Sequence, residues 1–118
     1  MVAVGVGTAV HVLASAFESL GPTAPQATLV GLVDVKPIPE HLKAYLAEHP
    51  DAALLVAEAG SVRGGVGEHL ASLSSSSRRQ ALIGYGDHFI PQGRPAELEA
   101  TEGLSSEAVA ERIRGLLL

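Results

Sequence analysis

Cysteine is absent from this 118-residue chain, which excludes disulfides, thiolate zinc sites and cysteine nucleophiles. Tryptophan is absent too. The 47% hydrophobic content is dominated by Ala, Val and Leu, which suits a tightly packed interior of small aliphatics and argues against disorder. An excess of positive charge is also lacking. The formal net charge of −5 gives no electrostatic reason to expect nucleic acid. Arg78-Arg79 is the only basic doublet and reads as a solvated loop. No uninterrupted apolar run reaches the roughly 18 residues of a membrane span. The apolar stretch over residues 2–17 lacks the basic lead of a secretory signal and is broken by Gly5, Gly7 and His11. A cytoplasmic protein without a membrane partner is the expectation.

Several catalytic patterns are missing as well. The five histidines (His11, His41, His49, His69 and His88) are scattered, with no His-Glu-x-x-His run, so no metal site is expected. Ser61 lacks a nucleophile elbow, and no Ser-His-Asp order is recognisable. Gly5-x-Gly7 is half of a dinucleotide fingerprint, but the position three beyond Gly7 is Val10, so it reads as a tight strand-to-helix turn. No Lys-Ser/Thr follows Gly64-Gly65-x-Gly67, so that segment is not a P-loop.

What is present is an alternating pattern. Residues 2–6, 28–33, 52–57 and 81–83 are short apolar runs, each read as a buried strand of a parallel sheet. Between them, apolar residues recur at helical spacing: Val10, Leu13, Ala14, Phe17 and Leu20; then Leu42, Tyr45 and Leu46; then Leu70 and Leu73. Thr8 is the expected N-cap of the first helix, and Pro39 sits in the first turn of the second. Residues 59–63 are expected to be a loop, and the serine run 74–77 a flexible surface connection. Residues 95–100 form a short helix, and Ser105 caps a last one bearing Val109, Ile113, Leu116 and Leu117. The fold class is therefore α/β. It is a three-layer α/β/α domain over residues 1–118, with a mainly parallel sheet of about four strands in the order 2-1-3-4.

In such a sheet ligands bind beyond the carboxyl ends of the strands. Residues 7–8, 34–37, 58–67 and 84–93 meet there. Gly64, Gly65 and Gly67 ahead of a helix can offer N–H groups to an anion, with Arg63 adding charge. Alternatively, the glycines let the loop pass close to another backbone. Asp34, Glu58 and Asp87 close strands. They read as structural carboxylates, with Asp87 capping loop N–H groups and Glu58 or Asp34 pairing with Lys36 or Arg63. The loop Arg63, Gly64, Gly65, Gly67 and Asp87 is thus the candidate anion or interface site. No catalytic residue is assigned.

One stretch is too distinctive for a generic loop: Tyr85-Gly-Asp-His-Phe-Ile-Pro-Gln-Gly93. Together with Asp34-Val-Lys-Pro-Ile38, Val4-Gly-Val-Gly-Thr8, the 56–67 segment and Gly103-Leu-Ser-Ser-Glu-Ala108, it resembles the C-terminal domain of the transketolase family, nearest its 1-deoxy-D-xylulose-5-phosphate synthase branch. Gly86, His88 and Ala59-Gly60 depart from the branch pattern. The family's domain also begins with an additional antiparallel strand ahead of the strand at residues 2–6. The resemblance implies an assembly domain of an enzyme that uses thiamine diphosphate and Mg²⁺, both held by other domains and neither by this chain. It implies thiamine-binding domains or a subunit as partners, in a homodimer or hetero-oligomer. It also implies an exposed apolar patch at the sheet edge or near Phe89-Ile90. The alternative is a stand-alone module that binds phosphate or a nucleotide.

Overall fold

The structure, a computed structural model, describes residues 1–74 and 77–117. Ser75 and Ser76, within the expected surface connection, lie outside the described residues. Strands β1 (Val2–Val6), β2 (Thr28–Leu32), β3 (Leu54–Ser61) and β4 (Gln80–Tyr85) alternate with helices α1 (Ala9–Leu20), α2 (Glu40–Glu48) and α3 (Val66–Ser72). Helices α4 (Pro95–Thr101) and α5 (Ser106–Leu117) follow β4. All strand pairs are parallel, in the expected order β2-β1-β3-β4.

The period of two along each strand sorts side chains to two cores. Ala3, Leu55, Ala57, Ala81 and Ile83 face one way, against Leu13, Ala16 and Leu20 of α1 and Val109 and Ile113 of α5. Val2, Val4, Leu54 and Val56 face the other way, against Leu42 and Leu46 of α2 and Leu70 of α3. β1 and β3 are central and covered on both faces, which is why Val2–Val6 and residues 54–57 read as unbroken apolar runs. Gly5 lies where α1 crosses β1 so closely that a Cβ there would overlap the Val10 backbone. Close packing thus explains this glycine without any ligand.

Several expectations shift. β2 takes the edge position that the expected order gives it but is not buried, with Thr28, Leu29 and Gly31 exposed and only Leu32 buried. Val33, beyond its end, is 85% exposed. β3 does not stop at residue 57 but runs to Ser61, so the expected loop at 59–63 is mostly strand. On α1 the inward stripe takes Ala9 and Ala16 and leaves Ala14 in solvent. Leu73 is exposed rather than inward. Thr8 holds the N-cap position of α1 without a side-chain cap bond, and Pro39 is the residue before α2 rather than inside it. Ser105 does cap α5, accepting the Ala108 N–H at 3.2 Å.

Arg78 departs furthest from expectation. Instead of lying in a solvated loop, it is 7% exposed. Its Nη1 donates to the carbonyls of His49 (2.8 Å) and Ala52 (2.6 Å), and its Nη2 to that of Leu46 (2.7 Å). These carbonyls belong to the C-terminal end of α2 and the turn after it, where the helix dipole is negative. The cation therefore ties α2 to the segment entering β4. Arg78→Met keeps the apolar stem but removes all three donors. It should destabilise the chain by about 3 kcal/mol, since three hydrogen bonds from a buried charge are lost. Urea unfolding checks this, and an unchanged midpoint would mean that water replaces the guanidinium.

Candidate functional site

The carboxyl ends of the strands form a rim built around one buried carboxylate. In the pairing of β3 with β4, Ala57 faces Ile83 and Ser61 faces Tyr85, so β3 advances four residues while β4 advances two. This bulge starts at Glu58, the kind of irregularity that re-aims side chains near functional edges. Glu58 is 7% exposed. Its Oε2 accepts the Gly67 N–H at 2.8 Å and its Oε1 the Val66 N–H at 3.3 Å, so it caps the first turn of α3 from beneath. Gly65 makes this possible, because a Cβ there would overlap Glu58 Oε1 and the Ser61 carbonyl. Gly64, at φ +74°, turns the chain into the helix, and its N–H goes to Glu68 Oε2 at 2.8 Å. The Gly65 N–H closes the turn on the Val62 carbonyl.

Arg63, Gly64, Gly65, Gly67 and Asp87 therefore do come together, but the carboxylates have exchanged roles. Glu58 pairs with neither Lys36 nor Arg63 and caps N–H groups instead. Asp87 does not cap the loop; its Oδ2 takes Arg63 Nη1 at 2.9 Å in an exposed pair joining the β3–α3 turn to the loop after β4. Asp34 joins neither interaction and is exposed. With the N–H groups of residues 64–67 all spent on the chain's own acceptors, the glycines act by allowing close approach.

The loop after β4 has a second clamp that sequence reading missed. His88 Nε2 lies 3.1 Å from Glu102 Oε2, and Nδ1 lies 3.1 Å from the Phe89 carbonyl. The Glu102 side chain, at the end of α4, is only 8% exposed and also accepts the Gly86 N–H at 3.4 Å. For both contacts to be hydrogen bonds both ring nitrogens must donate, which only the imidazolium form does. The Phe89 carbonyl, then the Glu102 charge, accordingly raise the His88 pKa above its ordinary value. Held by both clamps, the loop presents Phe89 entirely to solvent. Among the described residues no group of three or more His, Asp or Glu side chains could hold a metal ion.

Two outcomes follow from this geometry. Glu58→Ala strands two helix N–H groups and should cost about 2–3 kcal/mol, whereas Glu58→Gln, which keeps one acceptor, should cost less. Exchange of the Gly67 amide followed by NMR separates local fraying from global loss. For His88 the folded-state pKa is raised, so its contribution is complete below the free-imidazole value and fades as pH climbs through the folded-state value. An NMR titration should find the His88 pKa lowered by Glu102→Gln, though not abolished, because the Phe89 carbonyl remains. An unmoved titration would exclude the clamp.

The family model described as Transketolase, C-terminal domain matches residues 1–109. The 1-deoxy-D-xylulose-5-phosphate synthase of Cronobacter sakazakii is 36% identical over 110 residues, covering 86% of this chain and 18% of that protein. That of Paraburkholderia phymatum is 41% identical over 91 residues, covering 75% and 14%. The chain thus spans less than a fifth of these relatives. Among solved structures, a split-gene transketolase described as an inactive beta4 tetramer superposes with a TM-score of 0.84 at 24% identity, over 98% of this chain and 38% of that one. Transketolase of Campylobacter jejuni superposes at 0.67 and 15% identity, over 97% and 16%. The sheet order, the helices on both faces and the matched span agree, and the chain belongs to the transketolase C-terminal domain family.

Proposed function

We propose that these 118 residues act as the non-catalytic assembly domain of a thiamine diphosphate-dependent transketolase-type enzyme, one that joins pyruvate to glyceraldehyde 3-phosphate. The thiamine-binding domains lie outside these residues. The match to the synthases over most of this chain but under a fifth of theirs carries the reading. The donor set points the same way. A diphosphate with Mg²⁺ needs free N–H groups and clustered carboxylates. Here the N–H groups of the glycine turn are consumed by Glu58, Glu68 and Val62, and Glu58 caps α3 while Asp87 pairs with Arg63, so no carboxylates cluster there. The residues therefore do not fit that cofactor, and no step of the reaction is assigned to them.

An assembly domain must offer surface, and two stretches do. Leu29 and Val33 stand exposed along and just past the β2 edge, and Phe89 is fully exposed on its clamped loop. Exposed aromatics held rigidly are the usual anchors of protein interfaces. We take the Phe89 loop as the contact with the thiamine-binding domains, in a homodimer or hetero-oligomer. No helix among the described residues is long and apolar enough to cross a membrane, and we assign the assembly to the cytoplasm.

The deciding experiment is a carboligation assay with pyruvate, glyceraldehyde 3-phosphate, thiamine diphosphate and Mg²⁺. The chain is tested alone and then added to a synthase lacking its own C-terminal domain. Inactivity alone with restored activity in the mixture is expected. Activity from the chain alone, or none in the mixture, would overturn the proposal. Phe89→Asp should leave the circular dichroism unchanged and weaken association by about 2 kcal/mol, as for an interface anchor.

A further inference from the structure

Both lysines of this acidic chain line a single cavity. It has a volume of about 300 Å³ and lies between the β2–α2 connection and the β3–α3 turn. Lys36 comes from the connection, Lys43 from α2 and His69 from α3. Val35, Ile38 and Val66 supply an apolar wall. Three of the carboxylates nearby are already engaged, and Asp34, beside Val35, is exposed and does not line the cavity. Glu40 holds Lys43 at 3.2 Å in an exposed pair, Glu68 accepts the Gly64 N–H, and Glu58 is buried beneath α3. Lys36 has no ion-pair partner among the described residues. Two lysines and a histidine lining a cavity with an apolar wall suit an anion with a carbon body, and a surface pair such as Lys43–Glu40 yields readily to a stronger partner.

We propose that this cavity binds a small phosphate monoester. The phosphate would bridge Lys36 and Lys43, His69 would donate to it, and the carbon body would rest on Val35 and Val66. The volume lies at the small end of ligand sites, which suits a metabolite of a few carbons rather than a nucleotide. Recognition rests on side chains, not on the glycine-turn N–H groups, which Glu58 and Glu68 already occupy. The proposal is independent of the assembly role.

The test is an NMR titration of the ¹⁵N-labelled chain with glycerol 3-phosphate, inorganic phosphate and glycerol at fixed ionic strength. Saturable shifts at the amides of Lys36, Ile38, Lys43 and His69 are expected with glycerol 3-phosphate, weaker ones with phosphate, and none with glycerol. Lys36→Glu should weaken binding about tenfold or more, because an attraction becomes a repulsion. Lys43→Gln should weaken it less. Arg94→Glu makes the same charge change at an exposed residue outside the cavity and should leave binding unaltered. Shifts that do not saturate, that fall elsewhere, or that drop equally in Lys36→Glu and Arg94→Glu would overturn the site. Equal affinity for inorganic phosphate would overturn the apolar subsite.

Discussion

A buried carboxylate holds the functional end of this domain together. Glu58 leaves β3 at a bulge, turns under α3 and takes the first N–H groups of that helix. A helix of only seven residues has little cooperativity of its own, so its start depends on this cap and on Leu70 in the core. The turn that carries Arg63 depends in turn on the helix start. Arg63 then reaches Asp87, and through it the loop that displays Phe89. One side chain thus fixes the relative placement of the β3–α3 turn and the loop after β4.

The parts of the fold visible in the sequence are those decided locally. β1 and the first half of β3 announce themselves because strand segments covered on both faces carry apolar residues at every position. Ser105 is readable as a cap because the bond it accepts is three residues away. β2 misleads for a physical reason: its run of Thr-Leu-Val-Gly-Leu is as apolar as a central strand, yet how much of an edge strand is covered depends on what packs against it, not on its own residues. The carboxylate roles were illegible for a similar reason. Which of Glu58 and Asp87 receives N–H groups depends on the bulge between β3 and β4, and that register is not written in either segment. Arg78 sits beside a serine run and looks solvated. Its carbonyl partners are 26 to 32 residues away, at a helix end that no local pattern connects to it. Glu102 is equally remote from His88, at a separation of 14 residues.

The two ends of the sheet are stabilised by different chemistry. Where β4 begins, a guanidinium neutralises helix carbonyls; where the strands finish, carboxylates neutralise helix and turn N–H groups. Cations serve a helix C-terminus and anions a helix N-terminus, so the buried charges follow the direction of the parallel βα units. The glycines at positions 5 and 65 serve the same geometry, since each lets one element approach another more closely than a Cβ would allow.

The exposed edge of β2 has a consequence for how the chain is handled in the cell. A parallel edge strand with few charges presents open backbone donors and acceptors along its length, which is a template for indiscriminate pairing with other chains. Lysine and proline, the residues that usually blunt such an edge, are missing between Thr28 and Leu32. Kept in isolation, this fold therefore carries its own site for edge-to-edge aggregation.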